Sequence, residues 1–143
     1  MARYADRVPT RGAKAWRDTA MRTNHVRHAL ARGEAVYGYS AGLGSLLAVE
    51  VLSRTGIDFI LVEQQHGAWG DLEAFLAFMA IEGGSAVPMT RVSSNDYTKI
   101  GRMLDQGALG IVVPMVDTAE QAKAAADACH LPPHGNRSWG FGR

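Results

Sequence analysis

The sequence predicts an α/β fold in which short strands and helices alternate along one chain. The first observation is a repeated pattern, in which a helical stretch is followed by a glycine and then by a short apolar run. It occurs four times, as ARGEAVYGYS, RTGIDFILVE, EGGSAVPMTR and DQGALGIVVPM. The second is the spacing of the leading glycines, 23–28 residues, which fits one strand plus one crossover helix. Such alternation indicates a parallel sheet with right-handed crossovers.

The leading glycines themselves indicate where helices end. Glycine adopts the left-handed backbone conformation that commonly follows the last turn of a helix. The sequence therefore predicts that a helix stops just before each of four positions, Gly33, Gly56, Gly84 and Gly107.

The helices between the strands have their own start signals. One helix is predicted at about 23–32. The others are predicted to begin at side chains that can accept hydrogen bonds from free backbone amides: Ser45, Asp71, Asn95 or Asp96, and a capping box of Asp117 with Glu120. In the helix after Asp71, the spacing predicts one buried face made of Leu72, Phe75, Phe78 and Met79.

Two arrangements satisfy this order of elements, a doubly wound sheet and part of a (β/α)₈ barrel. A dinucleotide-binding sheet has weak support, because the segment SAGLGS at 40–45 lacks the third glycine of the G-x-G-x-x-G motif. A typical (β/α)₈ barrel has eight strands in about 250 residues. The chain has four strand patterns in 143 residues. We therefore predict the first four βα units of such a barrel, a half barrel, preceded by an N-terminal helix.

Composition limits the classes of function. A hydrophobic content of 47% and a charged content of 20% are ordinary for one globular domain, and a net charge of +1 gives no general case for a nucleic-acid or membrane partner. Residues 1–34 are basic, however, with eight Lys or Arg against three Asp or Glu. We interpret residues 1–20 as a solvated basic leader, and a nucleic-acid contact through it is the lesser alternative.

The same composition predicts a cellular compartment. There is no apolar run of the length that a signal peptide or a membrane span needs. The single Cys129 excludes an internal disulfide and suits a reducing environment. A cytoplasmic location is therefore expected.

Polar side chains follow the strand patterns at the edge where a barrel or a doubly wound sheet places its site. His66 follows the second strand, Arg91 closes the third, and Pro114 is predicted within the fourth. Histidine can take a proton from a substrate hydroxyl, and arginine can stabilise a developing oxyanion. No lysine follows any of these strands, so a Schiff base is not expected, and Glu63 is the single carboxylate at these strand ends that a metal could use.

Four motifs together resemble a known family. GIDFILVEQQHG, VPMTRVSSND, MLDQGALGIVVPMV and LPPHGNRSWG are similar, in order and spacing, to the metal-dependent pyruvate aldolases of the HpcH/HpaI aldolase/citrate lyase family. The similarity runs over residues 21–143. It implies a (β/α)₈ barrel that acts as a carbon–carbon lyase on 4-hydroxy-2-oxo acids, giving pyruvate and an aldehyde. A divalent metal ion (Mg²⁺, Mn²⁺ or Co²⁺) and a homo-oligomer are also implied.

The resemblance implies roles for three residues. His66 would be the base for the substrate hydroxyl, Arg91 would contact the keto oxygen, and Asp105 would raise the basicity of the histidine. Asp105 is expected in the last turn of a helix, at the end of a barrel opposite His66. Either that helix ends early, or Asp105 acts through a chain of water molecules or in a neighbouring subunit.

Two departures from the family bear on the site. The family usually has Asp where this chain has Glu63, whereas Gln65 is an accepted variant. The family's metal ligands, a Glu and an Asp, lie on later strands, beyond Arg143. We therefore expect the chain to carry the acid–base half of the site, to lack the metal half, and to be inactive alone.

Residues 1–20 lie outside the resemblance, as an upstream extension or a misplaced start. The alternative to an aldolase function is a non-catalytic half barrel that pairs with itself or with a second chain.

Overall fold

A computed structural model of the chain describes residues 22–140, in which helices and strands alternate as predicted. The elements are α1 (His25–Ala31), β1 (Gly38–Ala41), α2 (Leu46–Ser53), β2 (Phe59–Glu63), α3 (Asp71–Glu82), β3 (Val87–Arg91), α4 (Tyr97–Gln106), β4 (Gly110–Val112) and α5 (Ala119–Cys129). The proposed leader at residues 1–20 lies outside the described residues. Within the described part, no helix combines the length and the apolar character needed to cross a membrane.

The four strands form one parallel sheet in the order β1-β2-β3-β4. The register pairs Phe59 with Val87 and Glu63 with Arg91, so that β2 and β3 end level with each other. All four carboxyl ends therefore lie along one edge, as predicted. Among the described residues, β1 and β4 each pair with one strand and leave their outer edges without a neighbour.

The core lies between one face of the sheet and the helices. Side chains alternate along each strand, so that Ile60 and Val62 of β2 point towards the helices and are fully buried. They belong to a cluster that also contains Phe78 and Ile81 of α3 and Ile100 of α4. Burial of each large side chain contributes about 1.5–3 kcal/mol. The other parity of β2, including Leu61 and Glu63, points to the opposite face of the sheet.

The buried face of α3 differs from the predicted one. Phe78 is buried as expected, but the other residues of the contact face are Ala74, Ala77 and Ile81. Leu72 and Met79 are exposed, by 64% and 46%, so the prediction for these two residues is wrong. The sequence DLEAFLAFMAIE is apolar on most sides, and its periodicity does not select a face. The two alanines are buried in the core cluster, and packing there decides the rotation of the helix.

The helix start signals were correct at two positions and one residue off at two others. The Ser45 side chain accepts from the amide of Ala48, and that of Asp96 from the amide of Lys99. The predicted cap at Asp71 is wrong, because Gly70 is the N-cap of α3 and Asp71 its first residue. The predicted capping box of Asp117 with Glu120 is also wrong. The box is Thr118 with Gln121, whose Oε1 also accepts from the Asp117 amide.

Three of the four leading glycines have the predicted conformation and one does not. Gly33, Gly56 and Gly107 have φ values of 74°, 84° and 115°, the left-handed conformation that was predicted. Gly84 does not share it. A Cβ at Gly84 would lie 2.3 Å from Oγ of Ser53, so this glycine permits the close approach of β3's entry to the end of α2. Pro114 also differs from its predicted place, because β4 ends two residues earlier, at Val112.

Candidate active site

The carboxyl edge of the sheet brings Glu63 and Arg91 together. They are the last residues of β2 and β3 and are paired in register, so their side chains extend from the same face of neighbouring strands. Nε of Arg91 lies 2.5 Å from Oε2 of Glu63. The glutamate is 5% exposed, whereas about a third of the arginine side chain remains accessible. Nε of Arg91 is therefore held against the carboxylate, while another part of the side chain remains accessible.

The other oxygen of Glu63 organises the turn that follows β2. Oε1 accepts from the amide of Gln65 at 2.8 Å and from the amide of His66 at 3.2 Å. The amide of Gln64 in turn donates to the carbonyl of Arg91 at 3.0 Å. Three successive backbone amides after the strand are thus satisfied by Glu63 and by β3. This role of Glu63 is not predicted from the sequence, although its position at the strand end is a signal.

The environment of Glu63 keeps it ionised. Burial raises the pKa of this carboxyl, but the Arg91 guanidinium and the amides of His66 and Gln65 more than offset it, and the pKa is lowered below its ordinary value. A carboxylate with these partners holds a negative charge at the strand end at neutral pH.

His66 lies at the same edge, with its backbone fixed and its side chain exposed. The two residues predicted from the strand ends, His66 and Arg91, are therefore brought to one region of the sheet, both linked to Glu63. An exposed imidazole and a partly exposed guanidinium on this edge are groups that can act as a proton acceptor and as a cation towards a bound small molecule.

The loop that carries His66 packs against the loop after β1. A Cβ at Gly67 would lie 2.2 Å from the carbonyl oxygen of Glu63 and 3.0 Å from Cα of Gly42. The amide of Ala68 donates to the carbonyl of Gly42 at 2.9 Å. Nε1 of the buried Trp69 donates to the carbonyl of Ala41 at 2.7 Å. These contacts fix the position of the loop, and sequence analysis did not identify them, since they join segments about 25 residues apart.

A second set of polar contacts lies on the helix-facing side of the same edge. The hydroxyl of the fully buried Thr90 lies 2.8 Å from the carbonyl of Val62 and 2.9 Å from Oε1 of Gln64. Nε2 of Gln64 donates to Asp71 at 3.4 Å. Asp71, which was predicted to cap α3, therefore contacts the turn after β2 instead and connects that turn to the start of the helix.

Asp105 is not brought to this edge within one chain. It lies one residue before the end of α4, which leads through Gly107 into the start of β4 and so belongs to the opposite edge of the sheet. Its Oδ1 pairs with Arg137 at 2.7 Å. Because α4 continues through Gln106, the alternative that this helix ends early is wrong. A water chain or a neighbouring subunit remains as the route by which Asp105 would influence His66, and that role stays a prediction.

An apolar cavity of about 140 Å³ lies between β1 and α2, with Tyr39, Leu43, Leu52 and Trp69 among its lining residues. Neither His66 nor Arg91 lines it. It is smaller than the roughly 300 Å³ at which ligand pockets usually begin. The candidate site is therefore the open strand-end surface around Glu63.

Comparison with known proteins places this arrangement in a family. The model of the HpcH/HpaI aldolase/citrate lyase family matches residues 40–139, which include both strand ends and the loop with His66. The chain belongs to the HpcH/HpaI aldolase/citrate lyase family. The resemblance stated from the four motifs is confirmed.

Individual members of the HpcH/HpaI family show how much of the chain is shared. It is 38% identical over 122 residues to a 4-hydroxy-2-oxovalerate aldolase of Rhodococcus jostii, which covers 84% of this chain and 47% of that relative. It is 35% identical to a hydroxypyruvate/pyruvate aldolase of Delftia acidovorans, over 83% of this chain and 44% of the relative. The chain therefore spans about half the length of the curated relatives that it matches.

A solved HpcH/HpaI structure gives the same result for the fold. A family protein from Burkholderia cenocepacia superposes with a TM-score of 0.78 at 26% identity, over 82% of this chain and 49% of the other. The four βα units thus correspond to part of a (β/α)₈ barrel, and the predicted half barrel is confirmed.

The HpcH/HpaI resemblance implies a divalent metal, and the described residues can be tested for one. Residues 22–140 contain no group of three or more His, Cys, Asp or Glu side chains placed to hold a metal ion. Glu63, the carboxylate at the strand ends, already contacts two amides and Arg91. These residues do not fit a metal centre by themselves.

Proposed function

We propose that this chain provides the acid–base part of an aldolase site, which cleaves 4-hydroxy-2-oxo acids to pyruvate and an aldehyde or runs in the direction of aldol addition. The observation that supports the proposal is that Glu63 contacts both the backbone amide of His66 and the side chain of Arg91, at the carboxyl edge of a sheet that belongs to an aldolase family. The names of the Rhodococcus and Delftia relatives support a small 2-oxo acid as substrate.

In this proposal His66 takes the proton of the substrate's 4-hydroxyl group. The carbon–carbon bond between C3 and C4 breaks as C4 becomes an aldehyde, and the electron pair moves to C3 and onto the oxygen at C2. Arg91, held by Glu63 at 2.5 Å, presents the rest of its guanidinium to that oxygen and stabilises its negative charge. Protonation at C3 then completes pyruvate.

We further propose that the activity depends on a divalent metal ion, Mg²⁺, Mn²⁺ or Co²⁺, as the resemblance implies. Such an ion, when bound, polarises the keto group and lowers the cost of forming the enolate. That residues 1–143 alone are inactive also stays a prediction. A homo-oligomer and a cytoplasmic location also stay predictions.

The test of the proposed function is release of pyruvate from 4-hydroxy-2-oxovalerate in the presence of Mn²⁺ or Mg²⁺, followed with a coupled lactate dehydrogenase assay. A form of the protein that contains a whole barrel should be active. His66→Ala in that form should lower kcat at least about 100-fold, the usual contribution of a general base.

The matched control is His134→Ala, which removes an imidazole from the exposed loop after α5. It should leave kcat unchanged within about twofold, since a surface substitution away from the site has little effect. Full activity of His66→Ala, or absence of pyruvate release with both Mn²⁺ and Mg²⁺, would contradict the proposal.

A second candidate function is a non-catalytic half barrel that pairs with another copy or with a second chain. The observation in its favour is that β1 and β4 have free outer edges among the described residues. Exposed apolar side chains lie close to both edges, with Tyr39 on β1 and Val112 and Met115 at or after β4. Unpaired edges with such side chains favour association with another chain.

A further inference from the structure

Glu63 connects the two residues to which the proposed function assigns chemistry, although it is itself placed away from solvent. It is 5% exposed, and its two oxygens have different partners. Oε1 accepts two amides of the turn that carries His66, and Oε2 pairs with Arg91. Oε2 forms an ion pair without a hydrogen bond and is buried, so neither oxygen is accessible to a substrate proton.

We propose that Glu63 is a positioning residue, which holds His66 and Arg91 in one fixed arrangement by capping the turn with one oxygen and pairing the guanidinium with the other. This proposal deepens the proposed function and rests on it for the roles of His66 and Arg91. The geometric part, however, concerns residues of this chain alone and can be tested without activity.

The length of the Glu63 side chain allows its one carboxylate both to accept the amides of the turn and to pair with Arg91. Glu63 ends β2, and the two amides that it caps lie two and three residues later, so the side chain must turn back over its own backbone. Arg91 lies on the neighbouring strand, directly across in register. Aspartate, which is one methylene shorter, has the same charge, but we expect that it cannot maintain all three contacts.

Different substitutions at Glu63 can separate the effect of its charge from the effect of its side-chain length. Glutamine keeps the length and an oxygen that can accept both amides, but it presents an uncharged NH₂ group, a donor, to another donor on Arg91. Glu63→Gln should therefore preserve the turn and release the arginine. Glu63→Asp should preserve the charge and loosen at least one of the contacts, and Glu63→Ala should remove all of them.

The first experiment is NMR of residues 1–143 at neutral pH. In the unmodified chain the amides of Gln65 and His66 should be protected from hydrogen exchange, and the Nε–H of Arg91 should exchange slowly because it is buried against Glu63. Glu63→Ala should accelerate exchange at both amides by at least about tenfold, corresponding to loss of a hydrogen bond, and should abolish the Arg91 signal. Glu63→Gln should abolish the Arg91 signal and leave both amides protected.

The control is Glu50→Gln, which removes a carboxylate that pairs with Arg54 on the exposed side of α2. It should leave the signals of Gln65, His66 and Arg91 unchanged. If Glu63→Ala does not fold, Glu63→Gln decides. Unchanged Arg91 exchange in Glu63→Gln, or unchanged amide exchange in a folded Glu63→Ala, would overturn the proposal.

A kinetic experiment separates this inference from the proposed function. In a form that releases pyruvate, Glu63→Gln should lower kcat by about 100-fold, the effect expected for misplacement of catalytic groups, with KM changed less than about threefold. Glu63→Asp should recover part of the loss. An equal kcat for Glu63→Gln and the unmodified enzyme would overturn the proposal. If no form releases pyruvate, the proposed function fails, while the NMR result still decides whether Glu63 holds the two residues.

Discussion

At the scale of single residues, the candidate site depends on the partners that offset the cost of burying the carboxylate of Glu63. A buried carboxylate is unfavourable unless charged and hydrogen-bonding partners surround it. Here Arg91 and two backbone amides supply those partners. The lowered pKa of Glu63 is the electrostatic sign of this compensation, and it makes the local stability depend on pH.

We predict that Glu63→Gln lowers the free energy of unfolding by about 1–3 kcal/mol at pH 7, the cost of disrupting a largely buried polar contact. Because the pKa of Glu63 is lower in the folded than in the unfolded state, its contribution is complete above the unfolded value of about 4.3. It is lost as the pH falls through the folded value. Urea unfolding of both proteins at several pH values should show the difference shrinking below about pH 4. A difference that does not change with pH would contradict this account.

Asp105 gives a second prediction at this scale. Its pair with Arg137, at 2.7 Å and partly exposed, should contribute about 0.5–1 kcal/mol. A double-mutant cycle with Asp105→Asn and Arg137→Gln should measure this coupling by chemical unfolding. Glu50→Gln, which breaks the exposed pair with Arg54 on α2, is the control and should show no coupling to Arg137→Gln. Absence of coupling between Asp105 and Arg137 would mean that the pair does not hold this end of α4.

At the scale of elements, the position of His66 depends on contact between the loops after β1 and β2. Gly67 is needed because there is no space for a Cβ between the carbonyl of Glu63 and Cα of Gly42. Helix α4 contains Gly101, where, in contrast to Gly67, there is space for a Cβ. A Cβ at Gly101 would have Cγ of Arg137, 3.9 Å away, as its nearest neighbour, which is ordinary contact.

These two glycines form a matched pair for substitution. Gly67→Ala should destabilise the protein by about 1–3 kcal/mol, because the added methyl group forces the loops apart. Gly101→Ala should stabilise it by about 0.5–1 kcal/mol, since alanine loses less entropy in a helix. Thermal unfolding measures both. Equal effects of the two substitutions would show that the loop contact does not restrict Gly67.

At the scale of the whole molecule, the described residues form a sheet with two free edges. In the HpcH/HpaI structure from Burkholderia cenocepacia, the matched region is 49% of the chain. A four-stranded part of a barrel leaves its edge strands unpaired, and unpaired edges associate. The exposed Val112 of β4, 39% accessible, lies on one of these edges.

We predict that residues 1–143 associate in a concentration-dependent way, measured by light scattering and native mass. Val112→Glu should reduce the association, because a charge on an edge strand opposes pairing with another strand. Ala124→Glu, which adds the same charge on the exposed side of α5, should not reduce it. Monodisperse, monomeric behaviour at all concentrations would contradict the prediction. A discrete dimer with no affinity for metal ions would favour the paired half barrel over the aldolase.

The sequence by itself determined the order of the elements and the edge at which the candidate site lies. The strand patterns, the glycines at 33, 56 and 107, and the caps at Ser45 and Asp96 depend on local backbone preferences, which are readable from neighbouring residues. The positions of His66 and Arg91 at strand ends followed from the same pattern, because parallel strands present their carboxyl ends together.

Tertiary structure decided what depends on contacts between distant segments. The face of α3 was settled by burial of Ala74 and Ala77 in the core, where an almost uniformly apolar helix offered no periodic signal. The pairing of Asp105 with Arg137, and of Glu63 with both Arg91 and the turn after β2, depends on register and on the path of loops. Local propensity contains no information on such pairs, since their energy exists only once the strands and helices have packed.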